Sequence, residues 1–237
     1  VLRAEQIVEN PARVAPRRPG RAPRGGVQRA LNALALNAAG RASRDLELLL
    51  MKPVELAAHH VELEAAAGTG AHAEPWPKRV LVVHQTIAGA LRGDLSWVAG
   101  EAAAANLLET LGIAPQRPGP LTTLEREALT EIGNVVVSAI AEVLAQSLHL
   151  ELRTLAPSFA AGTPHDTLHP LRRAASGAEV FRFWLEGSVS GQRIDQAMLL
   201  LLDPVSVPWF KRHLAAHGGV LPMAQRIMAG NTEELTR

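Results

Sequence analysis

Cysteine is absent from the chain, which excludes disulfides and thiolate metal sites and fits a reducing compartment. Tyrosine is absent too, and Phe and Trp number four each, so the core must be aliphatic and rich in alanine. Neither sign of charge dominates: the formal net charge is +1, which leaves no broad electrostatic field for nucleic acid. No apolar run approaches the length of a membrane span, and no secretory signal is visible. Both absences favour the cytoplasm. The glycines at 68 and 70 form a GTG too short for a phosphate loop, and no Gly-Lys-Ser/Thr follows them. What remains is a chain of 237 residues, long enough to bury a sizeable core in one or two domains.

The one strong local bias is at the start. Residues 11–26 read PARVAPRRPGRAPRGG. Proline disfavours helix, glycine adds freedom and the arginines repel one another, so residues 1–26 are expected to be a disordered basic linker. The preceding VLRAEQIVEN reads as the end of an upstream domain. No aromatic residue is interleaved with the arginines for base stacking, so no specific nucleic-acid binding is expected.

From Val27 the periodicity predicts a helix to Leu50, stopped at Pro53, then a strand through PVELAAHHVEL. Residues 65–77 read as a loop, 78–89 and 91–99 as strands, and 101–112 as a helix ended by Gly112. PQRPGP is a linker. Residues 124–148 form a long helix, capped by Thr122 or Thr123, with Glu125 and Glu127 suiting the positive end of its dipole. Then come a strand over 151–158, a loop over 160–177, two strands over 178–187 and 193–203 joined by GSVSGQ, and a helix from Pro204 to about His217. Residues 218–237 form a tail with the pattern of a short amphipathic helix. Helices alternating with hairpin-linked strands predict an α/β sandwich, with one mixed, mostly antiparallel sheet and two long helices on one face.

Two histidine clusters invite a metal reading. His59 and His60 are adjacent on a strand, so they point to opposite faces and lack a third ligand. His165, Asp166 and His169 lie among Gly, Pro and Ser and read as an exposed loop. No metal site is expected in the chain.

The informative element is the long helix, LEREALTEIGNVVVSAIAEVLAQSL. Its apolar residues recur at three- and four-residue intervals. Gly133 interrupts it near the centre, where glycine costs about 1 kcal/mol relative to alanine, and Asn134 is another weak helix former. Glu127, Glu131, Asn134 and Ser138 share one face. A carboxylate and a carboxamide one turn apart, beside a glycine, form a surface that another backbone can approach. The plainer account is a solvated polar face with an incidental glycine.

At these residues the chain resembles the CheC/CheX/FliY family of chemotaxis phosphatases. The family signature is Asp or Ser, three residues, Glu, two residues, Asn, twenty-two residues, Pro. Glu131, Asn134 and Pro157 stand at those spacings, and the string ALTEIGN resembles the start of the family's helix. The first position is Glu127 instead of Asp or Ser, and Val135, Val136 and Val137 are bulkier than the family's residues there, which narrows a partner's approach.

The resemblance implies a pseudo-two-fold domain over 27–217, with halves 27–112 and 121–217. Setting MKPVEL against the strand after the motif helix places Ala33 at the glutamate position, Leu36 at the asparagine and His59 at the proline. The first half is therefore a degenerate copy, and at most one site is expected. The implied activity is hydrolysis of the aspartyl phosphate of a CheY-type receiver. Asn134 would orient the water, Glu131 would pair with the receiver's lysine, and Glu127, Gly133 and Ser138 would contact the partner. Pro157 would shape the scaffold. The chain itself would bind no cofactor, and Mg2+ would come with the receiver. The family also contains adaptors of the flagellar-switch type that bind the receiver without hydrolysis, and regulators of a CheD-type receptor deamidase.

Overall fold

The computed structural model describes residues 24–66, 76–114, 120–168 and 176–217. Its elements run α1 (Arg24–Leu50), β1 (Val54–Ala65), β2 (Val80–Gly89), β3 (Gly93–Gly100), α2 (Glu101–Thr110), α3 (Thr123–Leu148), β4 (Leu152–Thr154), β5 (Ser158–Gly162), α4 (Pro164–Thr167), β6 (Glu179–Val189), β7 (Gln192–Arg193), β8 (Gln196–Leu202) and α5 (Val207–His217). The strands form one sheet ordered β1-β6-β8-β3-β2-β4, with β5 also on β2 and β7 on β6. Every pairing is antiparallel, so the mixed sheet expected from the sequence is not mixed among the described strands.

The order carries the pseudo-symmetry. Hairpins β2–β3 and β6–β8 meet at the centre through β3 and β8. The first strand of each half crosses to the edge beside the other half's hairpin: β1 lies on β6, and β4 with β5 on β2. Apolar side chains of α1, α2, α3 and α5 bury one face of the sheet in a single cluster. β8, QAMLLLL, is buried along its whole length, as a central strand covered on both sides requires. The other face holds a smaller cluster with the Trp76–Trp184 pair, centroids 4.8 Å apart.

Several boundaries differ from the sequence reading. α1 begins at Arg24, inside the expected linker; residues 1–23 and the tail 218–237 lie outside the described residues. Arg41 bridges α1 to α3 through Glu142 at 2.8 Å. Its guanidinium is held above the ordinary arginine value, chiefly by a hydrogen bond to Asp45. The strand expected through His59 and His60, of poor alternation in the sequence, breaks its register there: the pairing shifts between His59 and Glu62, and His60 takes φ 48°. That bulge lets a twelve-residue edge strand bend with the sheet. The strand expected over 151–158 is two, because the chain resumes pairing after Pro157 and runs to Gly162. α5 starts at Val207 instead of Pro204.

α3 also holds an 18-residue window of mean hydropathy 1.6, long and apolar enough to cross a membrane by composition, contrary to the sequence reading. In the fold 56% of that window is buried, against the sheet and α1. A core helix satisfies the same test.

Candidate functional site

The site is built from the start of α3. Thr122 caps the helix with a reciprocal box: its backbone N–H donates to Glu125 Oε2 at 2.6 Å, and the Glu125 N–H donates to Thr122 Oγ1 at 3.2 Å. Such a cap is worth about 1 kcal/mol and sets the phase of everything after it. That phase puts Glu127, Glu131 and Ser138 on the exposed face, with Asn134 half-buried at its margin. Val136 and Val137 are fully buried and Val135 is half-buried. Two of the three valines thus point into the core and cannot narrow a partner's approach.

Gly133 faces the opposite way from the expected one. It is buried, and a Cβ there would lie 2.4 Å from Val83 Cγ2 and 2.8 Å from Trp97 Cε3. The missing side chain lets α3 lie close on β2 and β3. It does not open the surface to a partner, so Gly133 is not a partner-contact residue. A helix is amphipathic around its circumference, and adjacent positions differ by about 100°, so Gly133 and Asn134 cannot serve the same surface.

Asn134 is tied to the sheet. Gln85 Nε2 donates to Asn134 Oδ1 at 2.6 Å. Gln85 stands on β2 between Val83 and Ile87, facing the helices, and is 1% exposed. Its Oε1 is buried and without a hydrogen-bond partner among the described residues.

Pro157 enters through the same strand. β4 pairs with Ile87–Gly89, the Leu155 N–H donates to the Thr86 carbonyl at 2.9 Å, and β5 pairs with Val80–His84. The register therefore leaves Ala156 and Pro157 opposite the single residue Gln85. Two residues facing one is a β-bulge. Proline, with no N–H to offer a ladder, is tolerated at such an edge bulge. Asn134 and Pro157 converge on Gln85: one by hydrogen bond, the other by register.

The first half repeats the frame without the chemistry. Aligning Leu50 with Leu148 and Val54 with Leu152, the ends of equivalent elements, sets Ala33 against Glu131 and Leu36 against Asn134. Leu36 is 60% exposed. His59, at the proline position, begins a bulge of its own. Aligning the residues that pair with Val54 and Leu152, namely Val189 and Gly89, sets Leu185 against Gln85. Leu185 is fully buried.

The histidine clusters stay apart from this site. His59 Nε2 lies 3.7 Å from Glu186 at the β1–β6 edge. His165 and Asp166 are exposed on α4, 3.2 Å apart, and His169 lies outside the described residues. Among the described residues no three His, Asp or Glu side chains are placed to hold a metal ion.

By sequence, no protein-family model and no curated protein matches the chain. By structure, it is similar to Thermotoga maritima FliY at TM-score 0.65 and 13% identity, over 82% of this chain and 98% of that one. It is similar to a chain of the FliM–SpeE complex of H. pylori at TM-score 0.62 and 12% identity, over 85% and 100%. The H. pylori FliM middle domain matches at TM-score 0.57 and 14% identity, over 81% and 99%. The fold is thus the CheC/CheX/FliY-type fold that the resemblance implies. At these identities the likeness is one of fold.

Gln85 is the residue the sequence reading missed. Its signal was present: a carboxamide at an inward position of a strand whose inward neighbours, Val83 and Ile87, are apolar.

Proposed function

We propose that this protein hydrolyses the aspartyl phosphate of a CheY-type receiver. The observation that carries the reading is the placement of Asn134: half-buried, anchored to the sheet, and one turn from the exposed carboxylate of Glu131. Such a pair is too small to be a complete active site. It suits a reaction in which the partner brings the phosphoryl group, a magnesium ion and a lysine, and this chain adds only position. Phosphoryl transfer requires little else from a protein. Glu131, an acceptor only, would pair with the receiver's lysine and set the docking register. Asn134 would hold a water in line with the phosphorus. The water oxygen forms a bond to phosphorus as the bond to the receiver's aspartate breaks, yielding inorganic phosphate and a free carboxylate.

The second reading is an adaptor that binds a receiver or another chemotaxis or flagellar component without hydrolysis. The likeness to FliY and FliM domains supports it, and a related solved structure is a FliG–FliM complex. Control of a CheD-type deamidase stays within this reading.

The test is the decay of a phosphorylated receiver in the presence of Mg2+, with and without this protein. Accelerated decay is expected. Unchanged decay despite measurable binding would replace the enzyme with the adaptor.

A further inference from the structure

We infer that Gln85 is a positioning residue for Asn134: a buried carboxamide that fixes which end of the Asn134 amide faces the partner. The inference rests on the hydrolytic reading of the same site. A side-chain amide on an exposed helix face turns freely about its last torsion, and its two ends are chemically opposite, one accepting and one donating. A water-orienting amide that presents either end at random loses its use. The 2.6 Å hydrogen bond from Gln85 Nε2 takes one lone pair of Asn134 Oδ1. That leaves the Asn134 Nδ2 hydrogens to donate to a phosphoryl oxygen, and the second lone pair of Oδ1 to accept from water.

Three observations point to function over packing. First, Gln85 is costly where it stands. It is 1% exposed among apolar neighbours, and its Oε1 finds no partner among the described residues. A buried acceptor left unpaired destabilises a fold, whereas an apolar side chain of similar size would not. Second, the fold itself carries the apolar alternative. At the corresponding place in the other half stands Leu185, fully buried, and the position equivalent to Asn134 is Leu36. Gln85 comes from the first half and Asn134 from the second, and at both pseudo-equivalent positions, Leu185 and Leu36, leucine stands instead. Third, the bulge at Ala156–Pro157 lies opposite Gln85 in the ladder. A bulge bends its strand and re-aims nearby groups. The proline of the motif thus stands across the ladder from the residue that holds Asn134.

The test is Gln85→Leu in the full chain. Two readouts need no receiver: the thermal midpoint, and the side-chain NH2 signals of Asn134 in 15N NMR, assigned by their loss in Asn134→Ala. The other two are receiver affinity and the rate of dephosphorylation. A positioning role predicts a midpoint that is unchanged or higher and a shift of the Asn134 NH2 signals toward those of a freely rotating amide. It also predicts unchanged affinity and a rate lower by roughly tenfold to a hundredfold. A double variant with Asn134→Ala should be no slower than Asn134→Ala alone. Full activity in Gln85→Leu, or a lowered midpoint with a proportional loss of binding, would overturn the role. If the unaltered protein fails to accelerate decay, the hydrolytic reading fails instead. The NMR signals then still report whether Gln85 orders the amide.

Discussion

Asn134→Ala is expected to abolish the acceleration of receiver dephosphorylation while leaving receiver affinity within about threefold, a change of under 1 kcal/mol. The split follows from where the two groups lie. Glu131 lies fully on the exposed face, where the proposal has it pair with the receiver's lysine, whereas Asn134 is recessed at the margin. Holding a water in attack geometry removes its translational and rotational freedom before the chemical step, and loss of that alignment costs about a hundredfold or more. Alanine has one complication: it leaves Gln85 Nε2 buried without an acceptor, a penalty of about 1–3 kcal/mol in stability. Asn134→Asp is the cleaner variant. It keeps an oxygen for Gln85 Nε2 and nearly the same volume, but it replaces the outward NH2 with an anion facing a phosphoryl group. It should fold as the unaltered protein does and be as inactive as the alanine variant. Measurable hydrolysis by Asn134→Asp at the unaltered rate would remove Asn134 from the chemistry.

Gly133→Ala is expected to destabilise the protein, against the usual direction for a helix. In isolation alanine is better by about 1 kcal/mol. Here the added Cβ would lie 2.4 and 2.5 Å from Val83 Cγ2 and Cβ and 2.8 Å from Trp97 Cε3. Neither neighbour yields easily. Valine is branched at Cβ and stiff. Trp97 is fully buried, and its indole N–H donates to Gln196 Oε1. Overpacking a tight core costs about 1–3 kcal/mol, so the crowding outweighs the propensity. A net loss of up to about 2 kcal/mol lowers the thermal midpoint of a protein this size by up to roughly 8 °C. Because Asn134 is the next residue, a helix pushed off the sheet also lengthens the bond to Gln85, so activity should fall with stability. Val83→Ala in the same chain makes room and should recover part of both losses. A midpoint raised by Gly133→Ala would mean that α3 stands further from β2 than the contact distances require.

The same glycine marks the boundary of what could be read in advance. A glycine in mid-helix next to a motif asparagine signalled a constraint, and the constraint is real. Its direction was not legible. Period alone fixes which residues share a face, but here the outward face and the sheet-facing face meet within one residue. Only packing against Val83 and Trp97 reveals that Gly133 belongs to the core. The valines after Asn134 failed for the same reason: bulk was visible, burial was not. Pro157 was recognised by its distance from Asn134, yet nothing along the chain said what a proline beyond twenty-two intervening residues could do. That became clear when strand register set it across from Gln85. Gln85 itself lies far upstream, on a strand of the first half that the topology places under the helix of the second.

What the linear order of residues determined here is local. The periods of α1 and α3, the hairpins, the capping box at Thr122, and the polar stripe from Glu127 to Ser138 all arise from neighbours a few positions apart, where backbone geometry dictates the result. Tertiary structure decided the rest: the wholly antiparallel sheet, the exchange of edge strands between halves, the inward Gly133, and the bond between Gln85 and Asn134. These join residues many tens of positions apart. Such contacts are set by which apolar faces can bury one another and by the register of strands at opposite sides of the domain, and neither is a property of any short stretch of chain.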